Sequence, residues 1–153
     1  MPFVSKLKHR KPFNPRIDLK QRLLDVVIIL EAIRPLNILP SAKREMLDRA
    51  LWLVAELSGD FSPRYRSDEV LCKLGSKIQR DHIFPRASLI AAILEHRESL
   101  HDIISRAVCC LVTKDEHHRL KIAPPGEVGW DRYKTVKIVV RDMSTYRYAD
   151  EEA

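Results

Sequence analysis

The stretch VCCLVTKDEHH, residues Val108 to His118, contains the strongest local structural signal in this sequence. It opens with a short apolar run that is typical of a buried strand. Thr113 and Glu116 are then placed as a capping box. In this motif the Thr113 hydroxyl accepts a hydrogen bond from the Glu116 amide, and the Glu116 carboxylate accepts one from the Thr113 amide. This pattern predicts a helix that begins at Lys114. We therefore expect a strand that leads directly into a helix.

Two pairs of chemically active residues accompany this strand and helix. His117 and His118 lie in the first full turn of the predicted helix, and Asp81 precedes His82 in the upstream stretch RDHIFPR, which has extended character. Adjacent residues on a strand point to opposite faces, so Asp81 and His82 cannot easily bind the same ion. Asp81 and a neutral imidazole from the later helix can jointly hold a divalent cation. His82 is then free to act on a water molecule.

The stretches DHIFP and LVTKDEHHRL resemble the HNH, or ββα-metal, endonucleases. In that family the first strand carries an Asp-His or His-His pair, and the helix after the second strand carries a histidine that binds the metal. The resemblance implies that Asp81 and His117 are metal ligands, with His118 as the substitute if the register slips by one. It also implies that His82 is the general base, and that a divalent ion, magnesium in the first place, stabilises the scissile phosphate.

The resemblance covers Lys77 to Leu120 and departs from the family pattern. Ala107 and Val108 stand where the family has the asparagine that steadies the catalytic histidine, and no asparagine occurs after Asn37. The segment between the two strands is long and helical, and paired CxxC zinc knuckles are absent from the sequence. These departures favour a second hypothesis, a catalytically inactive relative.

Each candidate residue also has a simpler interpretation. Asp81 and His82 can form a surface ion pair without chemistry. His117 and His118 can be polar residues of an exposed helical turn. A zinc site built from a cysteine and these histidines is a further alternative, although the spacing matches no zinc pattern.

The charge of the chain favours an anionic partner. The 153 residues carry a formal net charge of +6, and nucleic acid is the commonest partner of such a protein. Much of the excess lies in an N-terminal arm that has no acidic residue, for which a solvated tail is the alternative interpretation. Arginines flank the proposed centre and suit phosphate contacts. The predicted nucleic-acid contacts are Lys6, Lys8, Arg10, Lys11, Arg16, Arg80, Arg86 and Arg119.

The whole sequence predicts a mostly helical α+β protein. Amphipathic spacing from Asp18 to about Arg34, with Asp18 and Gln21 placed as a capping box, and again from Ser41 to Leu57, predicts an N-terminal helical hairpin. Ser67 and Ser99 are placed as N-caps of later helices. We expect a ββα-metal-like lobe with a helical insert between its two strands. The predicted domains are a flexible basic arm at 1–16, the hairpin at 17–60, the HNH-like lobe at 61–148 and an acidic tail at 149–153.

Composition limits the compartment and the partners. Three cysteines are too few and wrongly spaced for a disulfide framework, so we expect a reducing, cytoplasmic environment. The longest apolar run, VVIIL, is far shorter than the roughly 20 residues that a bilayer requires. The long apolar stripes of the hairpin also suit a homodimer.

Two functional hypotheses follow. The first is a metal-dependent endonuclease that hydrolyses DNA, with His82 as the general base. The alternative is a catalytically inactive HNH-like protein of a phage or mobile element, which binds nucleic acid or another protein. Replacement of His82 by alanine abolishes cleavage under the first hypothesis and is nearly silent under the second.

Overall fold

The computed structural model describes Phe13 and residues 18–55, 63–73 and 77–145. Seven helices and four strands occur within these ranges, which confirms the mostly helical α+β class. In chain order they are α1 Leu19–Ile33, α2 Pro40–Ala55, β1 Tyr65–Ser67, α3 Asp68–Cys72, β2 Ile78–His82, α4 Arg86–Leu94, α5 Leu100–Arg106, β3 Cys109–Thr113, α6 Lys114–Lys121, α7 Trp130–Thr135 and β4 Val140–Asp142. Within the described residues, no helix has the length and apolar character needed to cross a bilayer.

The described residues belong to two compact units that interleave along the chain. The helical unit contains those within Pro15–Leu57 and His82–Val108, and the sheet unit those within Met1–Asn14, Ser58–Asp81 and Cys109–Ala153. Of the predicted boundaries, the one between the helical hairpin and the HNH-like lobe lies after residue 60. The compact units instead exchange between Asp81 and His82, and again between Val108 and Cys109.

The helical unit has a single apolar core built from α1, α2, α4 and α5. The predicted stripe of α1 is represented there by Leu30, and α2 contributes Leu47 and Leu51, all fully buried. The insert between the predicted strands contributes Ile93 and Ile103, which are also fully buried. Burial of each such side chain stabilises the unit by about 1.5–3 kcal/mol.

The start of α1 differs from the prediction. The capping box at Asp18 and Gln21 is wrong, because the Asp18 side chain makes no cap hydrogen bond. Its carboxylate instead accepts a hydrogen bond from Arg22 Nε at 2.9 Å, one turn along the helix. The Asp18 backbone, at φ −97° and ψ 16°, also lacks the extended conformation that capping residues adopt.

The sheet unit is built on a four-stranded mixed sheet in the order β2-β3-β1-β4. β1 pairs parallel with β3, with Tyr65 opposite Cys110, and antiparallel with β4. The Lys114 amide donates to the Lys77 carbonyl at 2.9 Å, just beyond the ends of β3 and β2. A second bond runs from the Ile83 amide to the Val108 carbonyl at 3.2 Å, so β2 and β3 are antiparallel.

The predicted caps around β3 are confirmed. The Thr113 hydroxyl accepts from the Glu116 amide at 3.2 Å, and the Glu116 carboxylate accepts from the Thr113 amide at 2.9 Å. The Ser67 hydroxyl caps α3 and also donates to Glu116 Oε2 at 2.6 Å. Burial raises the pKa of Glu116, while the hydrogen bonds from the Ser67 hydroxyl and the Thr113 amide oppose the shift. One carboxylate therefore fixes the starts of both α3 and α6. Ser99 caps α5 as predicted.

The segment after α6 forms a helix and then a strand. α7 follows Gly129, whose φ of 62° is one that glycine adopts without strain. The sequence predicts that Trp130 and Tyr133 pack and that a strand follows. Tyr133 is almost fully buried, and the Trp130 ring lies 5.0 Å from that of Tyr65. β4 supplies the strand.

Candidate functional site

In the sheet unit, the Asp81 carboxylate lies at the centre of a buried polar cluster. It is only 6% exposed. Its Oδ2 accepts hydrogen bonds from a guanidinium nitrogen of Arg132 and from the Tyr133 hydroxyl, each at 2.5 Å. Both donors come from α7, which follows Asp81 by about fifty residues in the chain. The negative charge of Asp81 is therefore matched by a fixed positive charge within the protein.

The structure brings His117 to the other oxygen of Asp81. His117 Nε2 lies 3.8 Å from Asp81 Oδ1, because the capped start of α6 directs the histidine toward the end of β2. Burial lowers the pKa of His117; Lys121 and Arg132 add to the shift and Asp81 opposes it. The lowered pKa favours the neutral imidazole, so the 3.8 Å contact with Asp81 has little ion-pair character near pH 7.

The neighbouring histidine, His118, is exposed and lies outside this cluster. Cys110 lies inside the sheet unit near Asp81 and Tyr133, and burial raises the pKa of its thiol well above the usual range, with Asp81 adding to the shift. The described residues contain no group of three or more histidine, cysteine, aspartate or glutamate side chains that could hold a metal ion. Asp81 and His117 are the pair of predicted ligands that the fold brings together.

His82 belongs to the helical unit and has an aromatic environment there. Its ring meets Trp52 edge-on, with 4.5 Å between the ring centroids and an interplanar angle of 85°. The Nε2 atom of His82 is buried. The same indole carries the Arg86 guanidinium 4.5 Å from its centroid, and Arg86 donates to Asp48 at 2.8 Å. Two predicted site residues, His82 and Arg86, are thus joined through a tryptophan.

The other predicted phosphate contacts differ in their burial and in the hydrogen bonds that they already make. Arg119 donates to the Val136 carbonyl at 2.8 Å and lies 3.6 Å from Glu69. Arg80 is half-buried in β2. The predicted contacts in the basic arm lie outside the described residues; they are Lys6, Lys8, Arg10, Lys11 and Arg16.

The described residues of the sheet unit carry more net positive charge than those of the helical unit. Those of the sheet unit include twelve lysines and arginines against eight aspartates and glutamates, whereas those of the helical unit include nine against eight. Lys77 and Lys114 are exposed at the rim of a cleft of about 200 Å³, together with Lys73. Glu69 and Asp115 also line this cleft. Sequence reasoning missed these lysines because they are separate in the chain and meet only where β2 and β3 pair.

Arg132 and Tyr133 were also missed as site residues. The sequence indicates that the aromatic residues of this segment pack and, under the binding hypothesis, that changes at Trp130 and Tyr133 weaken binding, but no local pattern connects them with Asp81. Comparisons with family models, with curated proteins and with solved structures found no match to this chain.

Proposed function

We propose that this protein binds DNA through its sheet unit and does not hydrolyse it. The observation that carries the proposal, and that argues against hydrolysis, is that the Asp81 carboxylate is buried and bound to Arg132 and Tyr133. This is the second of the two hypotheses that the sequence raises. Free cysteines support a reducing, cytoplasmic location for this function.

A catalytic metal fits poorly at this cluster. The charges of Asp81 and Arg132 cancel, and the lowered pKa of His117 favours its neutral form, so a divalent cation would meet no net negative charge. The Arg132 guanidinium, which is bound to the same carboxylate, would also repel a dication placed there. Magnesium also keeps several of its water molecules when bound, and a carboxylate this buried leaves little space for them.

The proposed general base has an unfavourable position for catalysis. A general base must come within hydrogen-bonding distance of the proton that it abstracts. The Nε2 atom of His82 is buried, and its ring packs against Trp52. The sequence also lacks the asparagine that would orient this imidazole. These features support a structural role for His82.

The charge of the sheet unit supports nucleic-acid binding. Lysines and arginines that meet phosphates release counterions, and this release drives sequence-independent binding. Lys77 and Lys114 are exposed side by side, with Lys73 at the same cleft. We propose that these three lysines contact the phosphate backbone. The exposed Leu24 and Ile28 on α1 support a homodimer that pairs through this helix.

Binding to a fluorescein-labelled DNA duplex, measured by fluorescence anisotropy in EDTA at several salt concentrations, tests the proposal. The double variant Lys77→Glu/Lys114→Glu should weaken binding more than tenfold and reduce the slope of log K against log salt by about 2, since each phosphate contact contributes roughly 0.9. The matched control is Lys20→Glu/Arg44→Glu, which makes the same charge change at exposed positions of the helical unit. Equal losses in both variants, or no binding by the wild type, would contradict the proposal.

One observation favours the hydrolase instead. His117 Nε2 and Asp81 Oδ1 face each other at 3.8 Å, and two ligand atoms of one metal ion can be separated by this distance. Cleavage of DNA is therefore measured alongside binding.

A further inference from the structure

We propose that the cleft lined by Lys73, Lys77 and Lys114 holds the terminal phosphate of a DNA strand, so that the protein binds a phosphorylated DNA end more tightly than the interior of a duplex. The inference rests on the proposed function, because it names the part of the DNA that the sheet unit contacts. The interior of a duplex keeps the weaker, sequence-independent binding that exposed lysines give to any phosphate backbone.

Three separate elements of the sheet unit bring the lysines to this cleft. Lys73 follows the last turn of α3, Lys77 precedes β2, and Lys114 is the first residue of α6. The Lys114 amide donates to the Lys77 carbonyl at 2.9 Å. The Lys73 amide donates to the Glu69 carbonyl at 2.8 Å. Backbone hydrogen bonds therefore fix where all three side chains begin.

The positive charge at the cleft is only partly neutralised. The Glu69 carboxylate lies 3.2 Å from the Lys73 ammonium group, so these two charges match each other. Lys77 and Lys114 form no ion pair with any residue in the part of the chain that the structure describes. Asp115, the other carboxylate of the cleft, is exposed and offsets one of these charges at most. Positive charge is therefore left for an anion.

The size of the cleft suits one phosphate group. It measures about 200 Å³, whereas pockets for whole drug-sized ligands measure about 300–1,000 Å³. The phosphates of a duplex interior each lie between two sugars on a convex surface, so they contact only the rim of such a cleft. A terminal phosphate is attached to one sugar and projects beyond it. The shape of the cleft therefore favours a strand end over a continuous strand.

A terminal phosphate also carries more charge than an internal one. A phosphate monoester has about −1.5 to −2 charges at pH 7 and three strong acceptor oxygens. Each phosphodiester within a strand has a single negative charge. A lysine ammonium group is a compact point charge with three donors, which suits it to phosphate. The unpaired ammonium groups of Lys77 and Lys114 therefore favour a phosphate monoester over a diester.

The experiment compares DNA ends by fluorescence anisotropy in EDTA, with fluorescein in the loop of a DNA hairpin whose stem has one open end. Three hairpins of the same sequence carry a 5′-phosphate, a 3′-phosphate or only hydroxyl groups at that end. A closed dumbbell with the same stem has no end. We expect a terminal phosphate to tighten binding about tenfold relative to the hydroxyl hairpin and the dumbbell, as an added charge-assisted hydrogen bond allows. The hairpin that shows this gain identifies the strand end that is held.

Two variants and a control locate the bound phosphate. Lys77→Gln/Lys114→Gln removes both unpaired charges and should abolish the preference for a phosphorylated end. Lys77→Arg/Lys114→Arg keeps the charges and should keep the preference. The matched control is Lys121→Gln/Lys134→Gln, which makes the same charge change at exposed positions of the sheet unit outside the cleft. This control should affect all four DNAs alike and keep the preference.

Equal binding of all four DNAs by the wild type would overturn this inference and leave the proposed function intact. A preference for phosphorylated ends that persists in Lys77→Gln/Lys114→Gln would also overturn it, because another part of the protein would then hold the phosphate. If the wild type binds none of the DNAs, the proposed function fails, and this inference fails with it.

Discussion

Asp81 and His82 are neighbours in the chain, yet two different kinds of interaction account for them. In the sheet unit, Asp81 is held by a charge and a hydroxyl from α7. In the helical unit, His82 is held by the face-to-edge contact of two rings. A sequence pattern that suggests one catalytic pair thus gives two separate structural centres. The difference teaches that an Asp-His pair defines chemistry only together with the partners that the fold brings to each member.

The largest expected effect comes from removing the charge partner of Asp81. Arg132→Ala should lower the free energy of unfolding by about 3–5 kcal/mol, because it leaves a buried carboxylate without its cation. Urea denaturation in EDTA measures the change. Lys134→Ala, an exposed change in the same helix, should stay within about 0.5 kcal/mol. A loss below about 1 kcal/mol for Arg132→Ala would mean that Asp81 is not held by charge.

A smaller effect is expected at the aromatic centre. Trp52→Leu should cost about 1–2 kcal/mol, because it removes both the ring contact with His82 and the cation contact with Arg86. His82→Phe keeps a ring against the indole and should cost less. The same denaturation experiment compares them, with Leu53→Ser as a neighbouring exposed control. If His82→Phe proves the more damaging of the two, His82 acts through its nitrogens and the comparison with Asp81 fails.

The smallest effect is a pH dependence that belongs to the sheet unit. Burial lowers the pKa of His117 below its ordinary value of 6.5, so the unfolded chain binds the proton more readily. The free energy of unfolding should therefore keep its full value above pH 6.5. It should decrease as the pH drops from 6.5 through the lowered pKa of His117. The loss should grow as the pH falls below 6.5 and should level off below the lowered pKa of His117.

His117→Gln is the control for this pH dependence, and it should flatten the profile of unfolding free energy between pH 5 and 6.5. Asp142 affects the free energy of unfolding only in a more acidic range, because the hydrogen bond from Arg64 holds the pKa of its carboxyl well below the usual value. An unchanged slope in His117→Gln would assign the pH dependence to other groups.

Local patterns allowed much of the fold to be predicted. The strand at Cys109–Thr113 and the helix after it depend on a capping box within four residues, and the structure confirms both. Asp18 has a similar pattern, but the capping box predicted there is wrong, because the Asp18 carboxylate accepts a hydrogen bond from Arg22 one turn away. Competition for a side chain depends on geometry that a spacing rule does not contain.

The candidate site could be predicted only in part. Asp81 and His117 lie together as the order of strand and helix indicates. Arg132 and Tyr133 determine the charge of the cluster, but they follow Asp81 by 51 and 52 residues. Contacts over such a separation arise from the packing of α7 in the sheet unit, and no periodicity or short motif encodes them.

The central claim is that DNA is bound without hydrolysis, and one measurement tests it directly. Purified wild type is incubated with supercoiled plasmid in EDTA, Mg²⁺ or Mn²⁺, and each sample is divided for electrophoresis with and without removal of protein. The account predicts retarded but uncut plasmid under every condition. Metal-dependent nicking that disappears in both Asp81→Asn and His82→Ala would contradict it and would establish the endonuclease.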